Sequence, residues 1–456
     1  MRSFQSYQKR FLPYLAAAAA VSLCGGFTAA VPSNVIADWA RSKESVTWLT
    51  LAYSLGAAAM APVMGKLGDA LGRRTALLLG LGLYTAGQGL AAFCPEGSFL
   101  LLLAIRFFAG VGAAAIAPMV MSFIMTEFPK EKIGSGFTSY MLISCGVVVF
   151  GPALGGIILS HSSWRWVLAL CTLICAASFL TALFFAEKSP RRAHALAGFD
   201  FAGAALTLVF FSLLLAFPTF GQNSGWLSPA ALLCGGAGIA ALLGLFFTER
   251  RAKKPILSGA FMVRRKFILP VAVLFLSQGL LQSCMTNLIT FFLITRGDKT
   301  LSGIATSVMY VGMALGTALI GPLADKREPR SVAAVSLLFV AAGAAGQMLF
   351  TETTSLLLTC LVMFFIGLGL GGNTTIFMKI VLSDLPPDLA GSGSGTYNVF
   401  RDMSAPFGVA VFVPMFASGL TAQRAVSALH STALVQTLCV LLGFTLCFAL
   451  PKIHRK

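Results

Sequence analysis

The stretch that decides the fold is Gly65-Lys66-Leu67-Gly68-Asp69-Ala70-Leu71-Gly72-Arg73-Arg74, which separates two long apolar segments. Glycines allow close backbone approach and unusual dihedral angles. Asp69 stands among basic residues, so its carboxylate can pair with one of them or cap the start of a neighbouring helix. A charged stop-transfer loop would explain the basic residues but neither the glycine spacing nor Asp69. We therefore interpret the stretch as a tight turn between two helices.

A weaker copy of this turn occurs later in the chain, as Gly321-Pro322-Leu323-Ala324-Asp325-Lys326-Arg327-Glu328-Pro329-Arg330. Two similar loops at corresponding places indicate an internal duplication. In transporters, such a duplication places the substrate site between the two halves, near the middle of the membrane.

The composition places the chain in a membrane. Of its 456 residues, 57% are hydrophobic and only 11% are charged, and the mean hydropathy is +0.85. Soluble domains are roughly a quarter charged, so this composition excludes an ordinary water-soluble enzyme. The formal charge of +17 would suggest a nucleic-acid partner in a soluble protein, but the chain has too little polar sequence to build such a domain. We expect no nucleic-acid partner.

Fourteen apolar segments reach the length of about 17 to 25 residues that a membrane helix needs. They lie at 12–33, 46–65, 75–94, 98–125, 134–159, 164–186, 200–219, 229–248, 267–294, 301–323, 331–350, 354–382, 392–418 and 431–450. The pattern predicts 14 transmembrane helices as a six-helix bundle (1–190), a two-helix insertion with cytoplasmic linkers (191–266) and a second six-helix bundle (267–456).

The basic residues set the orientation. With a cytoplasmic amino terminus, the inner segments hold 25 of the 33 Lys and Arg residues and the outer segments hold six, while Arg106 and Arg401 fall inside spans. Basic residues concentrate in cytoplasmic loops. The sequence therefore predicts a multi-pass protein of a bacterial-type plasma (inner) membrane, with both termini cytoplasmic.

The sequence offers no sign of catalysis. The longest segment between spans, from about Glu249 to Lys266, is too short for a soluble catalytic domain. HExxH, GxSxG and GxxxxGK[ST] patterns are missing. The ten cysteines lie almost all in apolar segments without a CxxC pair, so we interpret them as packing residues. We predict no catalytic residues, no metal site and no cofactor.

Further motifs follow along the chain. They are Trp48 with Tyr53, Arg106–Gly112 (RFFAGVG), Gly146–Gly156 (GVVVFGPALGG), Trp164–Trp166 (WRW), and Asn398 with Arg401 and Gly408. Together with the two loops, they resemble the motifs of the major facilitator superfamily, specifically its fourteen-span drug:proton antiporter branch. RFFAGVG is similar to the RxxxGxG motif of that family, and GVVVFGPALGG to its antiporter motif GxxxxGPxxGG. The resemblance extends from about Pro32 to Gly408.

The resemblance implies roles for two sets of residues. The antiporter motif comprises Gly146, Gly151, Pro152, Gly155 and Gly156, and its proline adds a bend that rocking between two states would use. Ordinary small-residue packing is the alternative for the glycines, but it does not call for the proline. Asp69, Arg73 and Glu127 would form a gate that stabilises the outward-facing state, and Gly65, Gly72 and Asp325 belong to the gate loops. A solvated charge cluster is the alternative.

Three ionisable residues inside predicted spans are candidates for proton coupling: Arg106, Arg401 and Asp402. An arginine near the bilayer centre costs at least about 2.5–3.5 kcal/mol, so it should face protein or a water-filled cavity. For Arg106 the alternative is snorkelling to the outer surface; by the resemblance it would take part in proton transfer. Asp402 is the one acid inside a predicted span and a candidate proton carrier. Adjacent helical residues point about 100° apart, so we expect no simple ion pair with Arg401.

The chain departs from the family at one position. This branch commonly has an acid in the first span, where this sequence has Leu23. A cavity with arginines and almost no carboxylates favours neutral or anionic amphipaths over cations, because an unpaired cation is strongly disfavoured in a low dielectric.

Polar or amphipathic residues in otherwise apolar spans are candidates to line a substrate cavity, since burying them without partners is costly. They are Tyr53, Gln88, Tyr140, Gln278, Gln282, Asn287, Tyr310, Asn373, Tyr397 and Asn398. Some of them would instead bond between helices. The 38 Phe and 16 Met residues fit an adaptable apolar cavity and fit lipid contact equally well.

The sequence thus predicts an all-α integral membrane protein with the major facilitator fold. The resemblance implies an exporter of drugs or other amphipathic small molecules by proton antiport through alternating access. The proton motive force would be its energy source, and the substrate, protons and the lipid bilayer its partners, with the chain acting as a monomer. Two alternatives remain: a dedicated exporter of one endogenous metabolite or lipid, and a transport-inactive sensor or scaffold.

Overall fold

The computed structural model describes residues 4–39, 45–129, 133–187, 200–251, 264–296, 299–321, 323–382, 390–418 and 424–450. Within these ranges the regular elements are helices, and none is a strand.

The first half of the chain and the insertion contain eleven described α-helices, with a 3-10 turn at Thr28–Ala30 between the first two. They are α1 (Phe4–Phe27), α2 (Val31–Asp38), α3 (Ser45–Leu71), α4 (Arg73–Ala92), α5 (Phe99–Ala114), α6 (Ile116–Glu127), α7 (Ile133–Val148), α8 (Phe150–His161), α9 (Trp164–Phe185), α10 (Phe201–Ser224) and α11 (Pro229–Arg251).

The second half contains eight described α-helices, and a 3-10 turn at Gln347–Leu349 extends one of them. They are α12 (Arg265–Ser277), α13 (Gly279–Arg296), α14 (Lys299–Leu319), α15 (Leu323–Lys326), α16 (Pro329–Gly346), α17 (Leu356–Leu382), α18 (Ala390–Ser418) and α19 (Ala425–Phe448).

Eleven of the spans formed by these helices are long and apolar enough to cross a membrane. Each of the fourteen predicted segments coincides with one helix or with consecutive helices. However, the apolar stretches Gly146–His161 and Gly303–Leu319 are shorter than these eleven candidate spans. Helix α3 is not among the eleven candidates either. The structure therefore supports a multi-pass helical protein with about eleven candidate spans. The predicted domain boundary at 190/191 lies outside the described residues.

Prolines explain two of the helix interruptions. Helices α7 and α8 separate at Val149, because Pro152 has no N–H to donate to the carbonyl four residues earlier, at Val148. In the same way, α5 ends at Ala114, four residues before Pro118. The antiporter motif therefore contains a break between two helices just before its proline.

Glycines set the closest helix contacts in both halves. A methyl group added at Gly56 of α3 would collide with the Phe107 carbonyl oxygen of α5. One added at Gly312 of α14 would collide with the Phe364 carbonyl oxygen of α17. Small residues allow such close approach between membrane helices. The two halves thus repeat one packing arrangement, as the duplicated loops predict.

The two halves meet most extensively along two helix pairs, α8 with α14 and α3 with α18. In the first pair, Gly303 lies directly against the carbonyl oxygen of Pro152, and the Ala153 N–H donates to Ser307 Oγ at 3.1 Å.

The insertion helices α10 and α11 pack against each other, and α10 lies beside both α3 and α18. Aromatic contacts hold α10 there: Phe211 meets Phe400 with ring centroids 5.5 Å apart, and Phe220 meets Trp48 at 5.6 Å. The insertion therefore lies beside one of the two seams between the halves.

Candidate functional site

Arg106 lies inside the amino-terminal half, on α5, with 5% of its surface exposed. Its Nη1 donates to Gln88 Oε1 of α4 at 3.5 Å, a long bond for an N–H donor. Its guanidinium lies 5.3 Å from the ring centroid of Tyr53 on α3. The snorkelling alternative for Arg106 is therefore wrong: packing against α3 and α4 holds the side chain inside the bundle.

The surroundings of Arg106 contain unpaired donors. Arg106 Nε and Gln88 Nε2 are buried without a hydrogen-bond partner in the described part of the chain, whereas the hydroxyls of Tyr84 and Tyr53 interact with each other. The rings of Tyr84 and Tyr53 are 6.4 Å apart. Among the described residues, no carboxylate pairs with Arg106. The structure thus brings Tyr53, Gln88 and Arg106, all predicted from the sequence, into one polar cluster.

Tyr84 is the member of this cluster that sequence analysis missed. It is completely buried on α4, four residues before Gln88. Residues four apart share one helix face, so this spacing was a usable signal.

Arg401 and Asp402, on α18, form an ion pair. Asp402 Oδ1 accepts from Arg401 Nε at 2.8 Å and lies 2.8 Å from Nη2. The expectation that these neighbours would not pair is therefore wrong, because the long arginine side chain folds back along the helix. The two side chains are 26% and 41% exposed. Tyr140 of the amino-terminal half lies within electrostatic reach of Arg401, so the pair faces the junction between the halves.

Arg73 and Glu127 of the predicted gate lie together. Arg73 Nη2 donates to Glu127 Oε1 at 2.6 Å, and Nη1 donates to the Ser122 carbonyl at 3.3 Å and to the Thr126 hydroxyl. The guanidinium also lies 5.5 Å from the ring of Phe123. These contacts tie the start of α4 to the end of α6. Both side chains are less than one third exposed, so the pair is more than a solvated surface contact.

The other gate residues are placed less completely. Asp69 lies in α3 and Asp325 in α15, but their side chains are outside the described set. Gly72 connects α3 to α4 with a φ of 88°, which favours glycine. An added methyl group at Gly65 would lie 3.6 Å from Pro118 Cβ, in ordinary contact.

The second half has its own contact near the repeated loop. Lys379 of α17 donates to the Gly321 carbonyl at 3.2 Å, at the end of α14. Sequence analysis treated Lys379 only as an inner basic residue. A lysine near helix C-terminal carbonyls is favourable there, and its position one turn from the end of an apolar span was a usable signal.

The antiporter motif packs against the first span. A methyl group at Gly151 would collide with the backbone of Gly26, and one at Gly155 would lie 2.8 Å from the Phe27 carbonyl oxygen. Pro152 and Gly156 are also buried. Gly146 is different, because nothing lies within 4 Å of an added methyl group.

The predicted cavity residues divide into groups. Asn287 Nδ2 donates to the Phe412 carbonyl at 3.3 Å and the Tyr397 hydroxyl to the Thr374 carbonyl at 3.3 Å, so these two bond between helices. Asn373 is completely buried, and neither of its amide atoms has a partner among the described residues. The remaining predicted residues are placed as follows: Gln278 is buried at the break between α12 and α13, Gln282 and Tyr310 are partly buried, and the side chain of Asn398 lies outside the described set.

Long apolar helices in two matched groups, with charged side chains buried among them, define a multi-pass membrane transporter rather than an enzyme. The Major Facilitator Superfamily model matches residues 11–409, and the chain belongs to that family.

Known relatives agree with this assignment. Multidrug resistance protein 3 of Bacillus subtilis (strain 168) is 26% identical over 383 residues, covering 83% of this chain and 73% of that protein. Puromycin resistance protein pur8 of Streptomyces alboniger is 29% identical over 399 residues, covering 84% and 76%. The crystal structure of the nucleoside transporter NupG has a TM-score of 0.68 at 12% identity and covers 97% of this chain and 99% of that one, a likeness of fold alone.

Proposed function

We propose that this protein is a secondary active exporter of drugs or other amphipathic small molecules, driven by proton antiport through alternating access. The observation that carries the proposal is the set of charged groups among apolar helices: Arg106, and the pair of Arg401 with Asp402. Charges are costly inside a membrane and mark pathways for ions or polar substrates. The relatives named for multidrug and puromycin resistance support drugs as the substrate class.

The proposed architecture has fourteen spans, with a bundle at 1–190, an insertion at 191–266 and a second bundle at 267–456. The repeated glycine contacts and the position of α10 at the seam support this division. The charge distribution, 25 inner against six outer basic residues, supports cytoplasmic termini in a bacterial inner membrane. The protein works as a monomer.

Asp402 is the proposed proton carrier. Arg401, 2.8 Å away, supplies the counter-charge of this carboxylate. A conformation that separates the pair would remove that counter-charge. The partial exposure of Asp402, at 41%, gives a proton a route to it.

Alternating access requires the halves to rock along their seams. The antiporter motif supplies one seam, where α8 meets α14, and the helix break just before Pro152 is the proposed point of flexure. The ion pair of Arg73 with Glu127, together with Asp69, stabilises the outward-facing state.

The test uses the full chain in proteoliposomes with an imposed pH gradient. Three probes are compared: puromycin, a second amphipath that is uncharged, and the cation ethidium. We expect gradient-driven accumulation that a protonophore abolishes, with proton counter-flow reported by an internal pH dye. The D402N variant should lose gradient-driven accumulation and keep downhill exchange.

The matched control is E187Q, which removes an exposed carboxylate that pairs with Arg10. Gradient-driven accumulation at the wild-type rate in D402N would contradict proton coupling at this residue. Accumulation of only one compound from a broad panel would favour a dedicated exporter. Loss of flux for every compound in the wild type would favour a sensor or scaffold.

A further inference from the structure

The environment of Arg106 lacks a negative charge. Its described contacts are with neutral groups: one long bond to Gln88 and the ring face of Tyr53. An arginine stays protonated in proteins, so this site carries a permanent positive charge. A buried charge is stable only when it is paired and hydrogen-bonded. The site is therefore incomplete as a purely structural element.

The neighbouring polar atoms have the same deficit. Arg106 Nε and Gln88 Nε2 can both donate, and each is buried without an acceptor in the described part of the chain. One unpaired buried donor is unusual in a native protein, and two on neighbouring side chains, one of them charged, indicate an absent acceptor. The acceptor that also balances the arginine is an anion.

The other arginine inside the spans shows what a completed site looks like. Arg401 has its carboxylate at 2.8 Å, on the adjacent residue. Arg106 has no such residue, and the first-span position Leu23 is apolar. Among the described residues, the chain thus supplies a carboxylate to one arginine and none to the other.

We propose that Arg106, with Gln88 and Tyr84, binds the carboxylate of the transported molecule, while Tyr53 holds the guanidinium in place. The inference rests on the proposed function, because it takes the bound anion to be part of the substrate. A carboxylate fits better than a spherical ion, since the planar guanidinium binds it through two parallel hydrogen bonds. The substrate class is then an amphipathic organic acid.

The first test measures binding to the purified full chain through its unfolding temperature. The probes are benzoate, 2-naphthoate and octanoate, each compared with its primary amide and with sodium chloride at equal ionic strength. We expect at least one acid to bind about tenfold tighter than its amide, because the amide lacks the charge. Equal effects of acids and amides for all three pairs, or an effect of chloride alone, would overturn the proposal.

Two variants separate ligand binding from folding. R106M replaces the charged side chain with an unbranched apolar one. Removing an unpaired buried charge should leave the unfolding temperature of the ligand-free protein unchanged or raised, and it should abolish the effect of the acids. R106K should keep a preference for acids, weakened about tenfold or more, because lysine lacks the planar fork.

A lowered unfolding temperature of ligand-free R106M would overturn the proposal, since it would show that Arg106 is already paired. R10Q is the control for charge, because it removes an exposed arginine on the surface. An unchanged response of R106M to the acids would also overturn the proposal.

Transport separates this inference from the proposed function. In one outcome, wild-type protein and R106M export neutral and cationic probes equally well, and the wild type shows no preference for acids. The inference then fails, and the proposed exporter function stands. In another outcome, wild-type protein binds the acids through Arg106 but transports no compound. The anion site then stands, but the proposed exporter function fails. The assignment of the anion to a transported molecule fails with it.

Discussion

In the amino-terminal half Gly110 packs against the backbone of Tyr53, and in the carboxyl-terminal half Gly367 packs against the backbone of Met309 in the same way. Two residues further along each chain segment the match is repeated: Gly112 packs against α4, and Gly369 packs against α16. The helix contacts of the two halves therefore correspond residue by residue.

The side chains that these matched glycine contacts enclose differ between the two halves. Counting from the matched glycines, Arg106 corresponds to Met363 and Gln88 to Ala344, and both residues of the second half are completely buried. Tyr84 likewise corresponds to Val340, which contacts Gly369 as Tyr84 contacts Gly112. The glycine contacts thus belong to the fold, since both halves keep them. The polar cluster belongs to one half, and the fold does not require it.

The largest effect is expected from M363R, which places an arginine at the position that matches Arg106. The second half offers Met309 and Ala344 there, so the charge would be buried without polar contacts. We expect the loss of most folded protein, since an uncompensated buried charge costs about 3–5 kcal/mol. Size-exclusion chromatography and the unfolding temperature measure the loss.

A matched variant tests the comparison further. Combining M363R with A344Q and M309Y copies three of the four members of the amino-terminal cluster, Arg106, Gln88 and Tyr53, into the second half. This triple variant should recover part of the folded yield. Equal yields of M363R and wild type would show that the two sites do not correspond.

The next effect comes from the glycine contacts themselves. G56A and G312A each drive a methyl group into a carbonyl oxygen of the neighbouring helix, at Phe107 and Phe364. Overpacking costs typically about 1–3 kcal/mol, and the loss should be similar in the two halves. Chemical unfolding in detergent measures both.

G146A is the control, because nothing lies within 4 Å of its added methyl group and alanine favours a helix. A loss confined to one of G56A and G312A would break the correspondence between the halves.

The sequence predicts the helices well because each of them corresponds to a continuous apolar segment. The segment predicted at 164–186 is the helix Trp164–Phe185, and the one at 331–350 is the region Pro329–Leu349. Charges inside spans are equally visible, so Arg106 and Arg401 were identified. Tyr84 was missed, because its role depends on which helix faces it, and helix neighbours are set by tertiary packing. The pair of Arg401 with Asp402 was missed because a flexible side chain can depart from the direction of its helix position.

The gate contacts should have a smaller effect than the glycines, and one that is unequal between the halves. R73Q removes an ion pair at 2.6 Å, a bond to the Ser122 carbonyl and one to Thr126. Hydrogen bonds to charged groups contribute about 1.5–3 kcal/mol when buried, but this pair is partly exposed and solvent screens it, so we expect a net loss of about 1 kcal/mol and slower export. K379Q, which loses the bond to Gly321, should have the smaller effect.

Unfolding in detergent and initial rates in proteoliposomes compare the two gate variants. E187Q again serves as the control, because the side chains of Glu187 and its partner Arg10 are both more than two fifths exposed. A larger loss in K379Q than in R73Q would place the stronger gate in the second half and reverse the comparison.

The smallest effect is expected where the halves touch. Ser307 Oγ of α14 accepts a hydrogen bond from the Ala153 N–H of α8 at 3.1 Å. S307A removes this bond between the halves and should lower the free energy of unfolding by about 0.5–1.5 kcal/mol. S212A is the control, because its hydroxyl donates to the Leu208 carbonyl of its own helix. Since rocking must separate α8 from α14, S307A should change the export rate while S212A should not, and equal rates in both variants would count against this seam as a moving contact.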